Sequence, residues 1–224
     1  QHRTDKVSWS IGSGGSPDPP PSPSPSPPPS GSGGCKGVSG SKEITPVCTQ
    51  MSASVSSGYT TVRLAVKVQG SVKHIYSIVG TAKGALVVPP AYQTPTFGVN
   101  FGGIKPGIVK AVKASGFDSW LTVGITDGSS GLGSAGISWQ QWTTKQGLST
   151  KDGGVFWMNP AKSTAKGTAV VAQLTVAKSY KGTVQMGVVG TDSKGKQHRT
   201  DKVSWSIGSG GSPTPPPSPS PSPP

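Results

Sequence analysis

The central part of the chain holds six acidic side chains, from which an enzyme would have to build its chemistry. Asp127, Asp152 and Asp192 stand next to glycine or serine in predicted turns, where a carboxylate caps the backbone. No two carboxylates form a glycosidase pair, and no serine lies in a nucleophile-elbow pattern. We therefore expect no enzyme, no catalytic residue, no metal site and no cofactor, with calcium at Asp127 and Asp152 as the weaker alternative to turn capping. The six are Glu43, Asp118, Asp127, Asp152, Asp192 and Asp201.

The chain has two cysteines, Cys35 and Cys48. Two thiolates are too few for a structural zinc site. A disulfide between them closes a loop of about 14 residues and stabilises the fold by about 3 kcal/mol in the chain-entropy model. A pair of buried free thiols is the alternative. Because disulfides persist in oxidising compartments, the pairing predicts an extracellular protein.

Three tryptophans form a group that could bind sugars by ring stacking. Trp139 and Trp157 have apolar neighbours on predicted strands, so we expect them in the core. Trp142 lies between Gln141 and Thr143, and we expect it to be an exposed ring that stacks on a sugar. This group supports one alternative function, a carbohydrate-binding module on a linker in a secreted modular protein.

The two ends of the chain are nearly identical. Residues 1–28 read QHRTDKVSWSIGSGGSPDPPPSPSPSPP, and residues 197–224 differ only where Asp18 is replaced by Thr214. This period is far longer than the unit of a solenoid. What repeats is a whole domain with its spacer, so we expect the chain to be slightly more than one period of a longer tandem array.

Composition divides the chain into folded and extended parts. Residues 17–30 are almost entirely proline and serine, which predicts a polyproline II rod of about 43 Å, at about 3.1 Å per residue. The predicted segments are a terminal β-strand at 1–12, a linker at 13–34, a folded domain at 35–208 and the start of the next linker at 209–224. In a fibre of such units we expect an axial repeat set by one domain plus one rod.

The net charge of +13 comes from lysines that are scattered singly. A basic excess attracts acidic polymers, but single lysines on strands more often keep sheet edges from pairing. We therefore expect no nucleic-acid partner, and anionic extracellular polysaccharide remains a possible partner. No apolar run is long enough to span a membrane, so no membrane partner is expected.

The hydrophobic pattern of the folded domain has a period of two residues. Val62, Leu64, Val66 and Val68 alternate with polar residues, as in a half-buried strand. Glycine, proline and Asp-Gly turns separate such runs, which predicts an all-β fold, an antiparallel β-sandwich. The predicted strands are 61–69, 72–79, 85–88, 96–101, 108–112, 120–125, 136–139, 155–158, 168–177, 183–189 and 202–207, the last two joined as a hairpin through Asp192–Gly195.

The duplicated segment contains a strand that needs burial. Val7, Trp9 and Ile11 share one face, and Val203, Trp205 and Ile207 repeat them. One domain has room for one such strand, and the second copy directly follows the predicted hairpin, so we expect it to fill the place. The first copy then belongs to a neighbouring copy, in a covalent array or by donor-strand exchange. A head-to-tail contact of this kind builds a filament if it does not close.

Two parts of the chain resemble known extracellular proteins. The spacer, Pro19 to Pro29, is similar to hydroxyproline-rich cell-surface glycoproteins of green algae and plants. The stretches 117–128, 152–160 and 171–176 (FDSWLTVGITDG, DGGVFWMNP and VAQLTV) resemble repeated domains of algal surface fibres, the mastigoneme-like tandem-repeat proteins. That class is structural, so no catalytic residue is carried over.

The resemblance implies a secreted or cell-surface fibre subunit whose partners are copies of itself. It also implies covalent O-glycans on hydroxylated prolines and on some serines of the spacers. No Asn-x-Ser/Thr acceptor is present, since Asn100 and Asn159 lack the pattern. The implied glycosylation positions are Pro19, Pro20, Pro21, Ser22, Pro23, Ser24, Pro25, Ser26, Pro27, Pro28, Pro29, Pro215, Pro216, Pro217, Pro219 and Pro221.

Overall fold

A computed structural model describes residues 34–208, and these residues form two antiparallel β-sheets with little helix. The first sheet has eight strands, with the path β1-β12-β11-β4-β9-β7 and with β5 paired to β11 and β8. Its strands are β1 (Cys35–Ser39), β4 (Val72–Gly80), β5 (Leu86–Val88), β7 (Leu132–Ala135), β8 (Leu148–Thr150), β9 (Gly153–Trp157), β11 (Gly182–Asp192) and β12 (Gln197–Ile207).

The second sheet has four strands in the order β2-β3-β10-β6. They are β2 (Ile44–Gln50), β3 (Tyr59–Val68), β6 (Trp120–Leu121) and β10 (Thr168–Ala177). The predicted all-β class is confirmed, and β10 has the predicted bounds. The predicted hairpin is also confirmed, because β11 and β12 pair from Gly182↔Ile207 to Thr191↔Gln197.

Side chains of both sheets meet in one hydrophobic core. Val62, Leu64 and Val66 on β3 are at most 1% exposed, on the face that the alternation predicted. Ile75 on β4 and Val188 on β11 belong to the same cluster. Burying each such side chain stabilises the fold by about 1.5–3 kcal/mol, so the alternating strands carry most of the driving force for folding.

Three predicted strands are wrong, and a fourth, 120–125, is a strand only at Trp120–Leu121, because glycine, proline or a left-handed residue interrupts them. Residues 108–112 lie largely in the helix α1 (Pro106–Ala111), since Pro106 suits the first turn of a helix, where its missing N–H is not needed. Phe97 has a φ of 59°, which breaks the predicted strand 96–101. Gly136 has a φ of 66°. The turn at this residue ends β7 at Ala135, and residues 136–139 do not form the predicted strand.

Four strands, β1, β2, β7 and β8, were not predicted. They are short and lack a clear alternation: β2 contains Pro46 and half-buried polar residues. Pro46 is tolerated because β2 pairs with β3 alone in its sheet, and proline is accepted on edge strands. β1 and β8 form by pairing with β12 and β5, which are distant in sequence, so their local sequence carries little signal. No helix within residues 34–208 is long and apolar enough to cross a membrane.

Candidate functional site: the place of the duplicated strand and the attachment point of the spacers

The second copy of the duplicated strand is β12, and both of its edges are paired from Ser204 to Ile207. On one side Gly37 of β1 lies opposite Trp205, and on the other side Val184 of β11 lies opposite the same residue. The described part of the domain therefore offers this position to a single strand, and β12 occupies it. Val7, Trp9 and Ile11 of the first copy lie outside the described residues.

The three apolar side chains of β12 are buried as the sequence predicts. Val203 and Trp205 are 0% exposed and Ile207 is 1% exposed. The indole N–H of Trp205 donates to the backbone oxygens of Val47 at 2.9 Å and Ala65 at 3.2 Å. Both acceptors belong to the second sheet, so Trp205 ties β12 to that sheet.

The two spacers attach to the domain at one point. Cys35 at the start of β1 lies opposite Ile207 at the end of β12, and the backbone N–H of Gly208 donates to the oxygen of Gly34. Gly208 has a φ of 73°, and a Cβ there would lie 2.0 Å from the oxygen of Tyr180. Glycine is required for the chain to leave the sheet beside the place where it enters.

The predicted disulfide between Cys35 and Cys48 is confirmed. Their Cα atoms lie 5.9 Å apart, and the bond joins β1 of the first sheet to β2 of the second. It lies directly after the attachment point, because Cys35 follows Gly34. The entering chain is thus fastened to both sheets within its first folded residue.

At the far end of β12, His198 lies between two acidic residues from other parts of the chain. Nδ1 of His198 lies 3.1 Å from Oε2 of Glu43, and Nε2 lies 3.4 Å from Oδ2 of Asp192. The Ser71 hydroxyl, and then His198, hold the pKa of Glu43 below its ordinary value. Backbone N–H groups of Lys196 and Lys194 and the ring of His198 lower the pKa of Asp192.

Two of the predicted turn caps are present. Oδ1 of Asp127 accepts from the N–H and the hydroxyl of Ser129 at 3.0 and 2.5 Å. Oδ1 of Asp192 accepts from the N–H of Lys194 at 2.8 Å and of Lys196 at 2.9 Å. Within residues 34–208 no three His, Cys, Asp or Glu side chains cluster as metal ligands.

The expectation of an exposed sugar-stacking ring at Trp142 is wrong. Trp142 is 3% exposed, and its indole N–H donates to the oxygen of Pro89 at 2.9 Å. The short 3-10 helix Trp139–Gln141 turns the chain at this point, so that Trp142 packs 6.2 Å from Trp139 between ring centroids. Trp157 is in the core as predicted, whereas Trp139 is half-buried.

Asp118 is a buried carboxylate whose environment the sequence did not reveal. It is 0% exposed, and its oxygens accept from the N–H groups of Thr94 at 2.8 Å and Val99 at 2.7 Å. Burial raises its pKa to about 6 against the opposing effect of these N–H donors. The carboxylate therefore holds the loop after β5 against β6.

We expect Asp118 to make the domain more stable in mild acid. Its pKa is higher in the fold than the ordinary 3.8, so the folded state binds the proton more tightly and the contribution of Asp118 to the free energy of unfolding falls as pH rises from 3.8 to about 6. The fall is on the order of 3 kcal/mol. Urea unfolding below and above this window measures it, and Asp118→Asn should remove this part of the pH dependence. An unchanged difference between the two pH values in the variant would contradict the assignment.

Comparison with known proteins gives no relative of this chain: no family model, no curated protein and no solved structure matches it. The implied glycosylation positions, Pro19 to Pro29 and Pro215 to Pro221, lie outside the described residues.

The sequence analysis missed Arg63 and Gln173, two polar residues on the face of the second sheet that points away from the hydrophobic core. The available signal was a glutamine in the middle of the apolar strand Val171–Val176.

Proposed function

We propose that the protein is a structural subunit of an extracellular, glycosylated fibre. In this proposal, folded domains repeat along one chain and are joined head to tail by O-glycosylated, proline-rich spacers. Each domain is completed by the strand that precedes the next spacer. The partners of the domain are therefore further copies of itself.

The observation that carries the proposal is the filled position of β12. From Ser204 to Ile207 both edges of β12 are paired with strands of its own domain, and its apolar face is buried. The segment at residues 1–12 has the same sequence as β12 up to Gly208, and therefore the same need for burial. A preceding copy of the domain is the host that suits this sequence, because it has the same place for the same side chains.

The shared attachment point supports a specific arrangement of the fibre. Because Gly34 and Gly208 are hydrogen-bonded neighbours, the chain enters and leaves each domain at one place. Each domain would then lie to one side of the consecutive spacers, and the path of the spacers would not run through the domains. The expected axial repeat of one domain plus one rod is accordingly replaced by a repeat set by the spacer alone.

The two sheets are best interpreted as the layers of a β-sandwich. Leu64 and Leu174 of the second sheet belong to the same core cluster as Ile75 and Val188 of the first. The bonds from Trp205 to backbone oxygens of the other sheet also support packing face to face. Such domains suit a fibre because a domain with a closed core keeps its length under tension, so that the spacers are the extensible part.

An extracellular location and covalent glycans complete the proposal. The disulfide between Cys35 and Cys48 suits an oxidising compartment. An exposed polyproline backbone has no internal hydrogen bonds, and glycans on its prolines and serines would supply polar contacts. The net charge of +13 favours anionic extracellular polysaccharide as a second partner.

The structure does not meet the expectation on which the carbohydrate-binding alternative depended. It depended on an exposed ring at Trp142, and this ring is 3% exposed and hydrogen-bonded to Pro89. Replacing Trp142 would therefore damage the core and would not report on sugar binding.

A matched pair of substitutions in the full chain tests the function. We expect Trp205→Ala to lower the free energy of unfolding by about 3–5 kcal/mol, the usual effect of removing a fully buried aromatic ring. Trp9→Ala, at the equivalent position of the first copy, should leave the unfolding of this domain unchanged. Ile207→Val and Ile11→Val give a milder pair, with about 0.5–1.5 kcal/mol expected for Ile207 only. Urea denaturation of dilute protein is the measurement.

The outcome with Trp9→Ala decides between the possible hosts. Equal destabilisation by Trp9→Ala in dilute, monomeric protein would mean that the first copy lies in its own domain, and the fibre proposal would fail. Destabilisation that occurs only when the chains assemble would show that neighbours are joined by strand exchange and not by a continuous chain.

A further inference from the structure

Three side chains form a row across the outer face of the second sheet. Arg63 on β3 lies opposite Gln173 on β10, and Gln173 lies opposite Trp120 on β6. Residues directly opposite each other in a sheet share a face. None of the three belongs to the core cluster between the sheets, so the row lies on the side away from that core.

A cavity of about 590 Å³ lies over this row. Residues of α1 and of the 3-10 helix Lys113–Phe117 contribute to its lining. This volume is within the usual range of small-molecule sites, about 300–1,000 Å³. Its lining is mainly apolar, with Met51, Ile104, Pro106, Val109, Phe117 and Trp120.

Gln173 holds the guanidinium of Arg63 in place. Nε of Arg63 donates to Oε1 of Gln173 at 3.0 Å. Nε2 of Gln173 donates to the oxygens of Gly116 at 3.0 Å and Asp118 at 2.9 Å. Gln173 is 1% exposed, so its amide is oriented by three hydrogen bonds. The guanidinium is thereby preorganised at the edge of the cavity.

The charge of Arg63 has no acidic partner within the described part of the chain. Asp127 also lines the cavity, but it accepts from Ser129 and forms no ion pair with Arg63. Arg63 is half-buried, and burial lowers its pKa. A guanidinium withdrawn from water without a counter-charge is unfavourable, and an anion bound in the cavity would remove this cost.

We propose that this cavity binds a small organic anion, a carboxylate on a flat and largely apolar body. The carboxylate pairs with the two terminal nitrogens of Arg63, since a guanidinium matches a carboxylate with two parallel hydrogen bonds. The body lies among the apolar side chains of the cavity. The exposed Lys113 at the lining adds a second positive charge. This site is separate from the fibre contacts and does not depend on them.

Three probes distinguish the parts of this proposal. Cinnamate has the carboxylate and the flat apolar body, cinnamyl alcohol has the body without the charge, and glucuronate has the carboxylate on a polar body. Calorimetric titration of the full chain should show cinnamate binding at millimolar or lower concentrations. Cinnamyl alcohol should bind at least about ten-fold more weakly, because a hydrogen bond to a charged group contributes that much to affinity. Glucuronate should also bind more weakly, because its hydroxyl groups would be buried without partners among the apolar side chains of the cavity.

Two substitutions test the residues, and a third is their control. Arg63→Gln should weaken cinnamate binding by about ten-fold or more. Val109→Trp should abolish binding by filling the cavity while Arg63 is kept, which covers the case in which Arg63→Gln does not fold. Arg199→Gln, which removes an arginine paired with Asp201 at 2.6 Å on β12, should bind cinnamate as the unchanged chain does.

Each contrary result overturns the proposal. Absence of cinnamate binding, or equal binding of cinnamyl alcohol, would show that Arg63 does not recognise a carboxylate. Equal loss of affinity in Arg63→Gln and Arg199→Gln would mean that only the overall charge acts. Glucuronate binding as strong as that of cinnamate would show that the site takes acidic sugars and not apolar anions.

Discussion

Pulling one domain by its two spacers should extend the chain about 40 Å further after the disulfide between Cys35 and Cys48 has been reduced. Force enters at Gly34 and reaches Cys35, and the disulfide passes it directly to Cys48. Residues 36–47 are then outside the path of the force. The 13 residue steps between the cysteines extend by about 3.3–3.6 Å each, and the bridged Cα atoms already span 5.9 Å.

The physical reason lies in the position of the bond at the attachment point. β1 and β12 are antiparallel neighbours whose outer ends meet, so pulling separates their hydrogen bonds one after another. An unbridged β1 would be peeled away early. With the bond in place, β1 remains fastened to β2 of the second sheet, and β12 is the strand that must leave first.

Single-molecule force spectroscopy with tethers on the two spacers measures the effect. The gain in contour length on unfolding is compared with and without a reducing agent. The double variant Cys35→Ser, Cys48→Ser is the control and should show the longer gain in both conditions. The same gain in oxidised and reduced protein would mean that the force does not pass through the bridge.

In the proposed fibre, the axial repeat should follow the length of the spacer and not the size of the domain. Residues 13–34 at about 3.1 Å per residue give a repeat below about 70 Å. A domain of this length has a diameter of about 40 Å, which would be added if the chain crossed it from side to side. Gly34 and Gly208 are hydrogen-bonded neighbours, so no such addition is expected.

Electron micrographs of chains with several periods test this spacing. Ten residues added to the Ser-Pro segment should lengthen the repeat by about 31 Å. The matched control adds ten residues to the exposed turn at Ser193–Lys194, at the tip of the β11–β12 hairpin, and should leave the repeat unchanged. A repeat near 110 Å in the unaltered fibre would place the two attachment points on opposite sides of the domain.

Several strands and the disulfide could be predicted from local sequence. The alternation in β3, β10 and β12 is local, and each of these strands buries the predicted face. The two cysteines were the chain's only candidates for a bridge. By contrast, the predicted strand at 108–112 is mostly helix, because Pro106 could start a helix that the apolar pattern did not show.

The sequence alone contains the duplication of residues 1–28 at 197–224, and it predicted that the strand containing Trp205 is buried, as the structure confirms. Duplication and alternation are properties of the chain order, so they need no knowledge of distant contacts. Only the tertiary structure decided that Gly34 and Gly208 meet, that Trp142 is buried against Pro89, and that Arg63 lies beside Gln173 under a cavity. These residues are brought together by pairing between strands far apart in sequence, as between β3 and β10, and local alternation cannot specify which distant strand will be the neighbour.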